Sequence, residues 1–159
     1  MLIREAIAAD LPKIVDLLQA MDDDEMLELD VALEIWNKMG SYPDYRFYVA
    51  EEEGALIASC SLIMIDNLGH RGARYGVADN VIVSPECRGK GIGSRMMRFV
   101  MEKTRQAGGY KLMLSSNKKR VAAHRFYEGL GFEQHGLSFV AEFVNPVDSK
   151  ADKEVDKND

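Results

Sequence analysis

A glycine-rich segment between an apolar run and a periodic run has the composition of an anion-binding loop. Gly89, Gly91 and Gly93 alternate along it, with Arg88 before them and Lys90 between the first two. Glycine lets the backbone approach a ligand without a Cβ, and the first N–H groups of a following helix point at that ligand. The helix dipole and the two basic side chains favour negative charge at the same place. The segment predicts an anion site at a strand–helix junction; the alternative is that its glycines only form a tight turn.

The spacing disfavours the two commonest phosphate-binding motifs. A P-loop reads G-x-x-x-x-G-K-[ST], but Lys90 is followed by glycine. A dinucleotide-binding loop reads G-x-G-x-x-G, but here the last position is Ser94, and no acidic residue ends the next strand, which runs into the sequence SSN. We therefore expect a different class of phosphate-containing ligand.

Composition favours a single globular domain. The chain has 159 residues, 47% of them apolar, which is a one-domain length with enough apolar side chains for a core. Its net charge of -6 argues against nucleic-acid binding and fits a positively charged substrate. No segment approaches the roughly 20 apolar residues of a membrane span, and the N-terminus lacks the pattern of a signal peptide. These features predict a cytoplasmic protein that binds neither nucleic acid nor membrane.

The residue types that bind metals or form disulfides are scattered along the chain. Cys60 and Cys87 form no paired spacing, and the three histidines, His70, His124 and His135, show no ligand pattern. The sequence therefore predicts no metal site and no disulfide framework.

Hydrophobic periodicity predicts alternating strands and helices that would position the loop. Predicted strands cover 2–7, 45–51, 55–65, 77–83, 110–115 and one or two segments within 137–144. Predicted helices begin at residue 11, with Asp10 as N-cap, and cover 29–39, 91–106 and 120–130. The order β-α-α-β-β-β-α-β-α-β predicts one mixed α/β (α+β) sheet with helices on its faces. Residues 1–144 would form the domain, and the charged residues 145–159 a disordered tail.

Two segments, in this order, resemble the GCN5-related N-acetyltransferase (GNAT) superfamily. Residues 88–93 have the form R-x-x-G-x-G after the apolar sequence VIVSP, which is similar to the family's pyrophosphate-binding motif. Residues 123–132, AHRFYEGLGF, resemble its second signature, A-x-x-x-Y-x-x-x-G-F. The predicted order of elements from residue 2 to about 143 matches the family as well. The resemblance implies an acyl-CoA N-acyltransferase fold that binds acetyl-CoA across a splay between the fourth and fifth strands.

The resemblance also implies where acetyl-CoA would bind. The backbone of the fourth strand would hydrogen-bond the pantetheine arm, and the N–H groups of the glycine-rich loop would hold the pyrophosphate. The strand positions are Val81, Ile82 and Val83. The loop positions are Arg88, Gly89, Lys90, Gly91, Ile92, Gly93 and Ser94.

Acetyl transfer to an amine requires one proton to leave the nucleophile and another to reach the thiolate. A lysine-like amine has a pKa near 10.4, so only about one molecule in 2,500 is the free nucleophile at pH 7. Asp79 is the candidate base, and strand alternation predicts it on the face of Val81 and Val83; a reaction with no protein base is the alternative. Tyr127 occupies the family's position for the donor to the thiolate, and we hypothesise that it stabilises that charge by hydrogen bonding. A solvated Asp79 and a Tyr127 that only packs beside Phe126 are the structural alternatives.

One cofactor position departs from the family pattern. Many relatives have asparagine seven residues before the tyrosine, whereas this chain has Arg120 there and Asn117 three residues earlier. The basic run Lys118-Lys119-Arg120 either contacts phosphates of coenzyme A or is a solvated charge run. The segment from 114 to Tyr127 is also similar to the branch that acetylates aminoalkylphosphonates and other small amines.

These observations predict an acetyl-CoA-dependent N-acetyltransferase that acts on a primary amine of a small molecule by direct attack in a ternary complex. One alternative is a non-catalytic acyl-CoA-binding sensor, and another is acetylation of a protein lysine or N-terminus. A generic nucleotide-phosphate binder would bind ATP as well as it binds coenzyme A. The resemblance further implies a homodimer, because relatives often pair through their last strands.

Overall fold

A five-stranded sheet in the order β1-β2-β3-β4-β5 forms the centre of the computed structural model, which describes residues 1–19, 27–141 and 143. The strands are β1 (Leu2–Glu5), β2 (Tyr45–Glu52), β3 (Ala55–Ile65), β4 (Arg74–Val83) and β5 (Gly109–Met113). The helices are α1 (Leu11–Gln19), α2 (Leu29–Met39), α3 (Ile92–Gln106) and α4 (Val121–Glu128). Strands β1 to β4 pair antiparallel and β4 pairs parallel with β5, so α3 supplies the crossover that parallel neighbours require. The predicted mixed α/β sheet is confirmed.

Alternation along β2 divides the core into two layers. Phe47 and Val49 pack in a cluster with residues of α1 and α2. Tyr48 and Ala50, which point to the opposite face, pack in the larger cluster that contains the buried side of α3. The apolar residues of α4 contact this second cluster, so α3 and α4 lie on the same face of the sheet.

The beginning of α1 differs from the sequence prediction. Asp10 ends a 3-10 turn (Ala8–Asp10), and its carboxylate accepts hydrogen bonds from Arg4 Nη1 at 2.6 Å and from the Ile7 N–H at 2.9 Å. The Arg4 guanidinium also bonds Glu51 on β2 and holds the pKa of Asp10 below its usual value. The predicted N-cap of α1 is therefore wrong, because the carboxylate serves the preceding turn and β1 instead.

β4 and β5 begin or end at different residues from those predicted from the sequence. β4 begins at Arg74, three residues before the predicted start, because Tyr75 and Gly76 still pair with β3. β5 ends at Met113, two residues before the predicted end, because its pairing with β4 stops at Val77. The order of elements from β1 to α4 is confirmed.

The predicted last strand does not form in the described residues 137–141 and 143. Four large apolar side chains there are 82–89% exposed: Leu137, Phe139, Val140 and Phe143. Their alternation predicted a strand, but a strand also needs a partner edge, and none of these described residues has a backbone hydrogen bond to β5. The acidic run at 22–25, residue 144 and the predicted tail 145–159 lie outside the described residues.

Among the described residues, no helix has the length and apolar character needed to cross a membrane.

Candidate active site

β4 and β5, the last two strands of the sheet, separate along their length and leave a cleft. Their last paired residues are Val77 and Met113, after which β4 continues for six residues without a partner on that side in the described chain. The N–H and C=O groups of this free edge are therefore open to a ligand. A small cavity of about 60 Å³ occupies the cleft. It is lined by Ala78, Asp79, Asn80, Val81, Leu114, Ser115, Ser116, Arg120 and Tyr127.

A β-bulge in β4 shapes one wall of this cleft. The register with β3 slips between Ser59 and Ser61, and Asn80 adopts a left-handed φ of 52°. Asn80 Nδ2 donates to Ser61 Oγ at 3.2 Å, and Ser59 Oγ donates to the Asn80 carbonyl at 3.4 Å. Both serines are buried, so the bulge is held from within the sheet.

The bulge corrects the predicted orientation of Asp79. Ala78, Val81 and Val83 all contact the α3 cluster, which strict alternation does not allow. Asp79 pairs instead with Ser61, on the other face of the sheet. The prediction that Asp79 shares a face with Val81 and Val83 is therefore wrong, because the extra residue at the bulge reverses the alternation.

Asp79 nevertheless remains at the cleft. Its side chain is exposed, and Oδ1 accepts a hydrogen bond from the Asn80 N–H at 2.9 Å. Its charge contributes to raising the pKa of both Cys60 and Tyr127, after burial in each case. Burial raises the pKa of Cys60 to about 12, which keeps this thiol protonated and unreactive.

Tyr127 reaches the cleft because of how α4 ends. Gly131 has a left-handed φ of 90°, and the chain turns back so that the Phe132 N–H donates to the Tyr127 carbonyl at 3.1 Å. The Tyr127 ring then lies between Phe126, with centroids 5.1 Å apart, and Phe132, with centroids 5.8 Å apart. The spacing Y-x-x-x-G-F is thus the spacing of a helix end that holds its own tyrosine in place.

The surroundings of Tyr127 favour the protonated form of its hydroxyl. Burial raises its pKa above the usual value; the positive charge of Arg120 opposes this effect, and Asp79 adds to it. A phenol with a raised pKa stays protonated at neutral pH and can donate a hydrogen bond to a developing anion.

Left-handed glycines shape the loop that follows β4. Gly89 and Gly91 have φ of 75° and 76°, and a Cβ at either would have no atom within 4 Å, so conformation rather than crowding requires glycine. Gly93 is different, because its Cβ would lie 3.2 Å from Phe126 Cζ and 3.4 Å from Val83 Cγ2. Glycine at 93 therefore allows α4 to pack against the first turn of α3.

Backbone N–H groups are available at this loop. The first amide of α3 with a partner is that of Arg95, which donates to the Gly91 carbonyl at 3.1 Å. In the described chain, the preceding amides from Gly89 to Ser94 donate to no protein acceptor. Arg88 Nε donates to the Val83 carbonyl at 3.2 Å and so links the loop to the end of β4. The loop presents these backbone amides beside the exposed Lys90, an arrangement typical of anion sites.

The two alternative cofactor positions have different surroundings. Asn117 Oδ1 accepts from the Lys119 N–H at 2.9 Å, and its carbonyl accepts from the Arg120 N–H at 2.9 Å. The same carbonyl lies 3.0 Å from His124 Nε2. Asn117 therefore shapes the turn into α4, whereas Arg120 lines the cleft itself.

Sequence reasoning missed Asn80, Ser59, Ser61 and Ser116 as parts of the site. The signals were present, because two serines at alternate positions of an apolar strand must find partners. An Asp-Asn pair within a strand also indicates a bulge, since both residues disfavour regular β structure and tolerate a left-handed φ.

A larger cavity, of about 260 Å³, lies near the C-terminal end of α3, away from the cleft. Two of its charged lining residues are already paired, Asp44 with Arg74 at 2.6 Å and Arg46 with Glu5 at 3.3 Å. Within residues 1–19, 27–141 and 143, no three His, Cys, Asp or Glu side chains come together as metal ligands.

A splayed mixed sheet with an amide-rich loop at one end of the splay is the fold of the acyl-CoA N-acyltransferase type. The chain belongs to the acetyltransferase (GNAT) family, whose sequence model matches residues 11–132. The predicted family is therefore confirmed.

Individual relatives agree with this membership. The chain is 35% identical over 97 residues to the aminoalkylphosphonate N-acetyltransferase of Salmonella typhimurium, covering 61% of this chain and 62% of that protein. It is 31% identical over 90 residues to the glucosamine 6-phosphate N-acetyltransferase of Trypanosoma brucei brucei, covering 57% and 59%. A putative acetyltransferase from Agrobacterium tumefaciens superposes with a TM-score of 0.86 at 30% identity, covering 90% of this chain and all of that one. The chain thus spans about three fifths of the length of these two curated relatives.

Proposed function

We propose that this protein is an acetyl-CoA-dependent N-acetyltransferase that transfers an acetyl group to a primary amine of a small molecule. The observation that carries the proposal is the cleft between β4 and β5, which has a protonated, packed Tyr127 on one wall and an amide-rich loop at its end.

The residues present fit acetyl-CoA, which supplies the acetyl group as a thioester. The free amides between Gly89 and Ser94 match a pyrophosphate in charge and hydrogen-bond direction. The unpaired β4 edge from Val81 to Val83 matches the amide groups of a pantetheine arm, which would hydrogen-bond it as another strand does. Ile82 would contribute to this edge through its backbone alone, because its side chain is buried.

Asp79 is the proposed acceptor of the amine's proton. The bulge exposes its carboxylate beside the cleft, and the Asn80 N–H fixes one of its oxygens. A carboxylate there attracts an ammonium substrate and takes its proton directly or through water.

Tyr127 is the proposed hydrogen-bond donor to the departing thiolate. Its ring is fixed between two phenylalanines, so the hydroxyl needs no reorganisation when charge develops on sulfur. Full proton transfer from a phenol of raised pKa to a thiolate is uphill, so stabilisation by the hydrogen bond comes first.

Direct attack of the amine on the thioester carbonyl is favoured over a covalent enzyme intermediate. Cys60 is fully buried, with its pKa raised to about 12. Cys87 lies in the 3-10 turn Pro85–Cys87, beside the amide-rich loop rather than at the cleft. The amine therefore attacks the acetyl carbon in a ternary complex.

A small amine is the proposed acceptor. The two curated relatives act on an aminoalkylphosphonate and on glucosamine 6-phosphate, which are both small amines with an anionic group. Arg120 in the cleft is a cation that such a group could meet, if coenzyme A does not use it. A cytoplasmic location and a homodimer belong to the same proposal.

Thiol release from acetyl-CoA, followed over a panel of amines, tests the proposal. The panel should contain aminoethylphosphonate, glucosamine 6-phosphate, a simple alkylamine, and peptides with a free N-terminus or lysine. We expect turnover with at least one small amine and none with the peptides. Binding of acetyl-CoA without turnover would favour the sensor, and equal thermal stabilisation by ATP and coenzyme A would favour a general nucleotide-phosphate binder.

A further inference from the structure

Among the described residues, one buried hydroxyl in the cleft has no hydrogen-bond partner. In the described part of the chain, the buried side-chain polar atoms without a hydrogen bond are Ser116 Oγ and Arg74 Nε. Arg74 Nε lies 2.7 Å from Asp66 Oδ1, so that ion pair compensates its burial despite the poor hydrogen-bond direction. Ser116 Oγ has no such compensation. A buried polar atom that stays unpaired destabilises the free protein, so each such atom requires an explanation.

The position of Ser116 indicates which ligand could form a hydrogen bond with its hydroxyl. Ser116 lines the same cavity as Tyr127 and faces the free edge of β4 from the other wall of the splay. Leu112 and Leu114 contact the α3 cluster, as Tyr127 does, and Ser116 lies three residues beyond the end of β5. Its buried hydroxyl therefore shares the cavity with Tyr127, whereas Ser115, which also lines the cavity, is exposed.

We propose that Ser116 binds the acyl donor through a hydrogen bond between its hydroxyl and the amide–thioester end of the pantetheine arm of acetyl-CoA. The inference rests on the proposed function, because it requires an acyl donor in the cleft. A hydroxyl both donates and accepts, so it matches a segment that presents carbonyl oxygens and an N–H group within a short distance.

A ligand-binding role for the Ser116 hydroxyl affects the stability of the free protein differently from a purely structural role. If the ligand supplies the missing partner, the hydroxyl destabilises the free protein and stabilises the complex. Replacement of Ser116 by alanine should then change the two states in opposite directions. A serine bonded within the protein behaves differently, since its loss weakens the free state.

Calorimetry and thermal unfolding of Ser116→Ala test the proposal. We expect the ligand-free melting temperature to rise by about 3 °C, because an unpaired buried hydroxyl is removed. We expect the Kd for acetyl-CoA to rise about tenfold, because one hydrogen bond is lost. Ser116→Cys, which keeps the size but is a weaker donor, should have an intermediate Kd.

Two controls test whether the change in affinity comes from the pantetheine arm and whether the change in stability comes from the unpaired hydroxyl. The nucleotide 3′,5′-ADP lacks the pantetheine arm, so it should bind wild type and Ser116→Ala with the same Kd. Ser61→Ala removes a buried hydroxyl that is already bonded to Asn80, and its ligand-free melting temperature should fall.

The outcomes separate this inference from the function on which it rests. An unchanged Kd for acetyl-CoA, a lower ligand-free melting temperature, or a change only in the KM of the amine would each overturn the assignment of Ser116. The acetyltransferase proposal would survive all three results. A wild-type protein that does not bind acetyl-CoA would overturn both.

Discussion

At the scale of single residues, the proposed roles of Tyr127 and Asp79 differ because their surroundings differ. Tyr127 is packed between two aromatic rings, and burial is the main reason that its pKa is raised. Asp79 is exposed at the bulge, where its carboxylate is open to solvent. A buried phenol and an exposed carboxylate therefore line one small cleft.

Replacement of Tyr127 by phenylalanine should separate catalysis from binding. The ring contacts with Phe126 and Phe132 remain, so the fold and the Kd for acetyl-CoA should change little. We expect kcat to fall about 100-fold, because the thiolate loses its hydrogen-bond donor. Steady-state thiol release and calorimetry measure the two effects, and a wild-type kcat would exclude the proposed role.

The role of Asp79 predicts a defect that depends on pH. Asp79→Asn should lower kcat/KM about 100-fold at pH 7, where most of the amine carries a proton. The difference from wild type should shrink as pH approaches the pKa of the amine, because a free amine needs no base. Initial rates between pH 7 and pH 10 measure this, and a defect that does not change with pH would contradict base catalysis.

At the scale of elements, the site depends on three departures from regular structure. The bulge in β4 and the early end of β5 open the sheet, and the two left-handed glycines turn the chain from β4 into α3. The bulge is held by the Ser61–Asn80 hydrogen bond, and the absence of a side chain at Gly93 lets Phe126 pack against the first turn of α3.

Gly91→Ala and Gly54→Ala form a matched pair. Both glycines have left-handed φ values, 76° and 80°, and a Cβ would meet no atom within 4 Å at either. Each substitution should lower the free energy of unfolding by about 1 kcal/mol, because alanine disfavours this conformation. Only Gly91→Ala should weaken acetyl-CoA binding in calorimetry, because Gly54 lies in the β2–β3 turn. Equal affinities for the two variants would remove the loop from the binding site.

The contact between Asp10 and Arg4 predicts how stability depends on pH. Arg4 lowers the pKa of Asp10 in the folded state, so the contribution is fully present above the unfolded value of about 3.9 and is lost as pH falls through the lower folded value. Asp10→Asn should lower the free energy of unfolding by roughly 2 kcal/mol at pH 7, since Arg4 is partly exposed to solvent. In urea denaturation, the difference between the variant and wild type should shrink progressively as pH falls below about 3.9. A constant difference down to pH 2 would contradict the assignment.

At the scale of the whole molecule, no described residue covers the outer edge of β5 or the apolar segment after α4. Tyr110 and Met113 on β5 are 47% and 40% exposed, and Leu137 and Phe139 exceed 80% exposure. Apolar surface of this extent is typical of association sites, and an unpaired strand edge is a template for another strand. These features support the proposed homodimer.

The mass of the protein in solution tests this proposal. Light scattering during size-exclusion chromatography should give the mass of a dimer for wild type. The double variant Leu137→Ser, Phe139→Ser should give the mass of a monomer, because the apolar side of the segment is removed. A double change on a different exposed surface, Leu29→Ser with Leu33→Ser, serves as the control and should remain dimeric. A monomeric wild type would contradict the proposal.

Local sequence patterns predicted most of the secondary structure. Periods of two and of 3.6 residues predicted every described strand and helix, and glycine spacing predicted the anion-binding loop, because these depend on neighbours in the chain. The same patterns placed Asp79 on the wrong face and made Asp10 a helix cap. Both errors arose from partners that are distant in sequence or outside the helix, namely Ser61 on β3 and Arg4 on β1.

The amino-acid sequence by itself determined the family, the order of elements and the loop, since residue type and short spacing suffice for these. Only the tertiary structure decided how wide β4 and β5 separate and which way the bulge turns Asp79. It also decided that the Ser116 hydroxyl is buried in the cavity of Tyr127 with no hydrogen-bond partner among the described residues. The physical reason is that burial and hydrogen-bond satisfaction are properties of packed surfaces, which join residues that no local pattern relates.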